Sequence, residues 1–390
     1  MTLPTFSDFF AELNNGHAPF PWQMDLAKRA VAGDWPGFIA APTGCGKTAC
    51  LEVAVYALAA QAKLALCERT AARRIFFIVN RRVIVDEAFE CARRMVKVLA
   101  NPCPEQPACA TVAEALRLLN PSPFPHPPLD CVQLRGAIFR DQRWARSLLQ
   151  PTLIATTVDQ IGSRMLFRGY GVTPNARPIH AALVATDALW ILDEAHISRP
   201  FAETVATLQR FREHHIARTA TAIKPPPLRW VQMTATPPKA AKSRISLTQA
   251  DREHPVLSKR LKASKPARLT VSIAKTKAKQ QETLATDLLE QAAAIIAEST
   301  PRSLAIMVNR VATARLVYER IEKESKSKNA RFRANTTLLI GRMRPLDRDV
   351  VTRQIQAALK TAASRDAIPD DGTPQPVEIV VATQCLEVGA

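Results

Sequence analysis

The 390-residue sequence predicts an α/β fold built on parallel sheets, and three observations predict it. From Gly37 onward, short apolar runs alternate with longer amphipathic ones, the pattern of strands joined by helical crossovers. A glycine-containing loop joins the first run to the first helical pattern, as a ligand-binding loop at the carboxyl end of a parallel strand does. The alternation stops in a polar, basic stretch and then resumes, which implies a second unit. At roughly 150 residues per domain the length suits two or three domains. The hydrophobic content of 47% is enough for their cores.

The elements follow in order. Phe38–Ala41 reads as a buried strand and Lys47–Ala62 as a helix. Ile75–Val79 reads as a strand and Val83–Leu99 as a helix. Asn101–Asp130 is rich in proline and reads as a surface insertion. Leu153–Thr156, Leu189–Asp193 and Trp230–Met233 are strand candidates, with Phe201–His214 helical between the last two. These make up a first domain over residues 1–240. Pro237–Lys265 is polar and weakly periodic, so residues 241–265 are expected to be a linker. The second domain, 266–390, has strand candidates at Leu269–Ile273, Leu304–Val308, Thr337–Ile340 and Val377–Ala382, and helices at Gln281–Ala297 and Ala312–Lys323. No internal repeat of fixed period is visible.

Lysine and arginine total 53 against 35 acidic residues, a formal net charge of +18. A chain this basic suits a polyanionic partner, nucleic acid first; the bland alternative is a charged, solvated surface. The eight cysteines show no metal spacing: Cys103 and Cys109 have no second pair nearby to complete a zinc site. Scattered free cysteines fit a reducing cytoplasm. Met1–Asn15 lacks the basic and apolar regions of a signal peptide. No apolar run approaches the roughly 20 residues that span a bilayer. The expected setting is therefore cytoplasmic, with no membrane partner.

The strongest local signal is Ala41-Pro42-Thr43-Gly44-Cys45-Gly46-Lys47-Thr48, after a strand and before a helix. That is the context of a phosphate-binding loop. Glycines let backbone N–H groups turn inward around phosphate oxygens, and the helix N-terminus adds its positive dipole end. Thr43 to Gly46 would cradle the phosphates, Lys47 would reach the β- and γ-phosphates, and Thr48 would hold Mg²⁺. ATP and Mg²⁺ are the cofactors implied. Only twelve glycines occur in the chain, and two stand where this loop needs them.

The second signal is Asp193-Glu194-Ala195-His196, at the end of the apolar run Leu189–Leu192. A carboxylate at a strand's carboxyl end suits Mg²⁺ chemistry: Asp193 would hold the ion through water and Glu194 would deprotonate the attacking water. His196 would link nucleotide state to the neighbouring domain. Alone, these residues could be an ordinary acidic loop. Third is Thr234-Ala235-Thr236, where the Thr234 and Thr236 hydroxyls can bond the acidic motif and report hydrolysis.

In this order, the three motifs resemble those of superfamily 2 nucleic-acid helicases. The resemblance implies two RecA-like domains with ATP hydrolysis between binding and release of a strand. Pro21-Trp22-Gln23 resembles the segment whose glutamine reads adenine, which makes Gln23 the candidate. Asn80-Arg81-Arg82, Arg135-Gly136 and Thr156-Thr157-Val158-Asp159-Gln160 resemble three sites that grip strand phosphates, although Ala137 stands where a second glycine is common. Such contacts give affinity without sequence choice. Taken alone, Thr157 or Asp159 equally suits a helix cap. In the second half, Met307-Val308-Asn309-Arg310 and Thr383-Gln384-Cys385-Leu386-Glu387-Val388-Gly389 resemble strand-end motifs of the second RecA-like domain, with Asn309, Thr383 and Gln384 facing nucleic acid.

Longer stretches narrow the resemblance. They are Gln133–Gly136, Thr157–Arg164, Phe167–Val172, Leu192–Phe201 and Ile340–Asp347. Together they look like the helicase of type I CRISPR systems, in particular the variant subtype once called U and now G. The resemblance implies recruitment by a guide-RNA surveillance complex and ATP-driven movement along displaced single-stranded DNA, unwinding the duplex for degradation. Two features depart from it. None of the seven histidines precedes an aspartate, so the adjacent His-Asp pair of a two-metal nuclease is not visible. The sequence closes with the Thr383–Gly389 motif, ahead of the expected arginine finger, so an incomplete second domain is expected. The alternatives are a fragment that binds ATP and nucleic acid without turnover, and a DEAH-type RNA helicase. A phosphate-loop kinase has no use for the acidic motif or the Thr-Ala-Thr loop.

Overall fold

Strands buried on both faces read as near-continuous apolar runs, and that requirement explains the middle of the first unit's sheet. In the computed structural model the strand Arg74–Val79 sends Ile75, Phe77 and Val79 into one buried cluster and Phe76 and Ile78 into another. The strand Ala188–Leu192 splits the same way, Leu189 and Ile191 to one side, Ala188, Trp190 and Leu192 to the other. Helices therefore cover both faces of the sheet. The structure describes residues 2–80, 82–136, 142–218, 228–238, 243–264, 266–274, 276, 279–341, 343–344, 347, 350–351, 354–355 and 376–383.

The chain divides into Met1–Ser264 and Lys265–Ala390. The first unit holds helices α1 (Phe6–Leu13), α2 (Pro21–Val31), α3 (Cys50–Ala60), α4 (Arg82–Ala100), α5 (Pro107–Arg117), α6 (Val158–Met165), α7 (Arg177–Ala185), α8 (Arg199–Arg218), α9 (Gln249–Glu253) and α10 (Pro255–Lys262). Its strands are β1 (Phe38–Ala40), β2 (Arg74–Val79), β3 (Asp130–Leu134), β4 (Thr152–Thr157), β5 (Ala188–Leu192), β6 (Leu228–Thr234) and β7 (Arg244–Ser246). They form one sheet in the order β3-β4-β2-β5-β6-β1-β7, with every pairing parallel. The second unit is a parallel sheet in the order β8-β10-β9, from β8 (Ser303–Met307), β9 (Ala334–Leu339) and β10 (Val377–Ala382). Helices α11 (Gln280–Ser299) and α12 (Val311–Lys326) pack on it through Ala285, Ala292, Ala314, Val317 and Ile321. The predicted α/β class with two parallel sheets is what the chain adopts.

Three expectations need correction. The Asn101–Asp130 stretch is not a plain surface insertion. It contains α5, whose Ala108, Cys109, Val112, Ala113 and Leu116 are buried in the first unit's core. Pro107 opens that helix, at the position where a missing N–H costs nothing. Of the segment read as a linker, 241–265, the described residues 243–264 belong to the first unit instead. Its β7 pairs with β1, Ile245 and Leu257 enter the core, and Asp251 is fully buried. Leu269–Ile273 forms no strand, and its Leu269, Val271 and Ile273 are 94%, 79% and 82% exposed. Helices α1, α2 and α7 and strand β3 went unforeseen.

Candidate active site

The sheet order puts the three motifs side by side. The phosphate loop follows β1, the acidic motif follows β5, and the threonine loop follows β6, which lies between those two strands. All three leave the carboxyl ends of parallel strands, where open α/β sheets bind ligands. Gly44 and Gly46 take φ of +84° and +73°, a backbone that side chains disfavour, so the turn needs glycine at both positions. The loop then runs into Lys47–Ala49 and α3.

Lys47 is 8% exposed, and its Nζ donates to Glu194 Oε1 at 2.7 Å and lies 3.5 Å from Asp193 Oδ1. A buried ammonium between two carboxylates is compensated; removing a partner would leave an unpaired charge. Burial pushes the Asp193 carboxyl above its usual range, Lys47 pulls it back, and Glu194 pushes it up again. Asp193 is tied to the sheet by its N–H to Ile78 O at 2.9 Å, and its Oδ1 accepts from Glu194 N at 3.0 Å. Glu194 takes left-handed backbone angles, φ 46° and ψ 50°, a conformation of the kind stored at functional sites.

From Glu194 the network continues. His196 Nδ1 lies 3.3 Å from Glu194 Oε2 and 3.3 Å from Thr234 Oγ1. Thr234 is 2% exposed, and its Oγ1 also accepts from Thr236 N at 3.1 Å. The structure thus joins Lys47, Asp193, Glu194, His196, Thr234 and Thr236 in one cluster. Thr43 and Thr48 are exposed. The Cys45 thiol is buried and held above its usual range by that burial, a protonated and unreactive state.

Gln23 is 2% exposed. Its Oε1 accepts from Phe20 N at 2.8 Å and its Nε2 donates to Gly46 O at 3.0 Å, so its amide clasps the phosphate loop to the start of α2. Sequence reasoning missed three neighbours of this clasp. Trp22 Nε1 donates to Cys45 O at 3.2 Å, Arg260 Nη1 donates to Gly44 O at 2.7 Å, and Asp251 Oδ1 accepts from Trp22 N at 2.9 Å. The pattern Thr248-x-x-Asp251, a capping box, and Pro255 at the next helix start were the available signals.

The expected strand-gripping residues are differently disposed. Asn80 is half-buried just after β2; Arg81 lies outside the described residues, and Arg82 begins α4. Arg135 Nη1 pairs with Asp86 Oδ2 at 2.7 Å, and Gln133 also bonds Asp86. Thr157 caps α6, accepting from Gln160 N at 3.4 Å, which is the cap alternative noted from the sequence. Asp159 is exposed, while Gln160 is buried and holds Arg164 through its carbonyl and its Oε1 at 2.8 and 2.7 Å. In the second unit Asn309 is exposed after β8, and Thr383 is buried after β10 with its N–H to Leu339 O at 3.1 Å. Gln384 lies outside the described residues.

Among the described residues, no cluster of three or more His, Cys, Asp or Glu forms a ready metal cage. No described helix is long and apolar enough to cross a membrane. No protein-family model matches the chain, and no curated protein matches it. Solved structures do resemble it. The T. fusca Cas3-ADP crystal structure has a TM-score of 0.52 at 16% identity, covering 100% of this chain and 42% of that one. The DEAD-box helicase Mss116 bound to ssRNA and UDP-BeF has a TM-score of 0.51 at 14% identity, covering 98% of this chain and 64% of that one. This chain therefore spans less than two thirds of either protein, and at such identities the likeness is one of fold. What it establishes is the fold, parallel α/β sheets of the RecA-like kind.

Proposed function

We propose that this chain is an ATP-driven motor that translocates on single-stranded DNA in CRISPR interference. The observation that carries the ATPase part is the ion-paired cluster of Lys47, Asp193 and Glu194 at the carboxyl ends of β1 and β5, the two strands that flank β6. Lys47 is paired with Glu194. A triphosphate entering the loop offers the ammonium a stronger anion, and Lys47 turns to it. Glu194 is then freed of its partner and accepts the proton of the attacking water. The phosphate-loop amides and Lys47 stabilise the charge spread over the transferred group.

Thr48 and Asp193 supply hard oxygen donors, the ligand type Mg²⁺ prefers, from an exposed hydroxyl and a carboxylate with one oxygen tied to Glu194 N. Bound there, the ion would neutralise phosphate charge. His196 and Thr234 connect Glu194 to the end of β6 and would pass the state of the site to that strand.

The nucleic-acid part rests on the net charge of +18 and on the strand-end residues Asn80, Arg81, Arg82, Arg135, Asn309, Thr383 and Gln384. Thr157, Asp159 and Gln160 stand at the start of α6 in the first unit, with Asp159 the exposed member. The CRISPR part, with a guide-RNA surveillance complex as partner, rests on the longer sequence stretches around these motifs. Steady-state ATP hydrolysis titrated with single-stranded DNA and with RNA of matched length tests the choice of strand. Greater stimulation by DNA is the expected result. Equal or greater stimulation by RNA would move the chain to the RNA helicases.

A further inference from the structure

Three successive carbonyls of the phosphate loop accept a hydrogen bond from a side chain outside it. Gly44 O takes Arg260 Nη1, Cys45 O takes Trp22 Nε1, and Gly46 O takes Gln23 Nε2. A trans peptide is planar, with its C=O and N–H pointing opposite ways. Pinning one residue's carbonyl therefore sets the direction of the next residue's amide. These bonds set the amides of Cys45, Gly46 and Lys47, which are the donors a phosphate nest uses. Cys45 N makes a long bond of 3.4 Å across the loop to Pro42 O, so that amide faces the concave side. Lys47 opens the helical turn, where an N–H has no intrahelical acceptor.

The segment after β6 supports this arrangement. Arg260 stands on α10. Asp251, fully buried, accepts from Trp22 N at 2.9 Å with one oxygen and from Thr248 N and Oγ1 at 2.9 and 2.8 Å with the other. The His254 ring meets Phe20 edge-on at 5.0 Å, and Phe20 N is the donor that Gln23 Oε1 accepts. One stretch of chain thus holds both the start of α2 and the tip of the loop.

We propose that Arg260 is a positioning residue of the phosphate loop. With Trp22 and Gln23 it braces the loop carbonyls outward and so aims the loop amides at a bound phosphate, whatever base the ligand carries. The proposal rests on the phosphate-loop reading above. Trp22 and Gln23 are 1% and 2% exposed, whereas Arg260 is at the surface, so alanine at 260 leaves the core intact.

The test is displacement of N-methylanthraniloyl-ADP by ATP, ADP and inorganic pyrophosphate, measured on the whole chain as wild type, Arg260→Ala and Arg260→Lys. Arg260→Ala should raise Kd for all three about tenfold, the order of one charge-assisted hydrogen bond. Arg260→Lys, which keeps a donor of similar reach, should recover most of the loss. At about 1 M salt the Debye length falls to roughly 3 Å, so a mere long-range attraction would be screened while a fixed peptide would not. A loss that persists at that salt supports the brace. Unchanged affinity in Arg260→Ala, or a loss that vanishes at high salt, overturns it. If the wild type binds none of the three ligands, the phosphate-loop reading falls and the brace with it.

Discussion

The two sheets of this chain are both parallel, yet they are covered differently. Every residue of β2, β4 and β5 is buried, between helices on either face. In the second unit β8 and β9 each have one buried residue, Ile306 and Leu339, among half-buried and exposed positions, and Met307 at the end of β8 is 52% exposed. β2 and β5, buried on both faces, run apolar to their ends, so the first polar residues after them mark the spot where chemistry can stand, whereas β4 closes on buried Thr156 and Thr157. Asp193 and Glu194 after Leu192, and Asn80 after Val79, are read off that way. A half-covered strand has no such marker. Leu269-Thr270-Val271-Ser272-Ile273 alternates like a strand with one buried face, but among the described residues no strand pairs with it. Its pattern is local, while pairing depends on a neighbour that local sequence does not specify.

The comparison can be broken most sharply at the site itself. Glu194→Gln is expected to lower ATP hydrolysis by about 10²–10⁴, the contribution of a positioned general base, while nucleotide still binds. Hydrolysis within a few-fold of wild type would remove Glu194 from the base role. Next comes packing. Trp190→Ala in β5 should cost about 3–5 kcal/mol in urea unfolding, since its ring is fully buried among Phe76 and Phe201. Leu269→Ala, in the exposed stretch, should shift stability by no more than about 0.5 kcal/mol. A large loss at Leu269 would mean that the stretch is packed in solution, and the contrast between the units would narrow.

The smallest effect is electrostatic. Burial raises the Glu52 carboxyl above its usual range, and the bond from Asn14 Nδ2 at 3.2 Å only partly offsets it. The folded state therefore holds that proton more tightly than the unfolded chain does. Stability is fullest below the ordinary glutamate range and falls as pH rises through it toward the raised folded value. Glu52→Gln should flatten that part of the pH-stability curve measured by thermal unfolding. An unchanged slope would show that Glu52 is not its source.

Much of the first unit was legible because its strands are short apolar runs with a loop chemistry between them that few functions share. The phosphate loop, the acidic motif and the threonine loop were found in sequence, and the sheet order explains why they belong together. What the sequence hid has physical causes. Prolines masked α5, although Pro107 occupies the first helical turn, where proline is tolerated. The basic composition of 241–265 masked a strand, two helices and the buried carboxylate of Asp251. The left-handed backbone at Glu194 is imposed by the surrounding loop and leaves no mark on residue type. The use of Gln23 and Arg135 depends on partners far away in sequence, Gly46 for Gln23 and Asp86 for Arg135, whereas Gln160 turns to Arg164 one helical turn on.

The most direct test of the central claim is steady-state ATP hydrolysis by this chain, wild type against Lys47→Ala, with nucleotide binding measured in parallel. Lys47 is the group that links the phosphate loop to Asp193 and Glu194. The account predicts hydrolysis by the wild type that Lys47→Ala abolishes, with circular dichroism showing the fold retained. A mutant that hydrolyses ATP at the wild-type rate would contradict it.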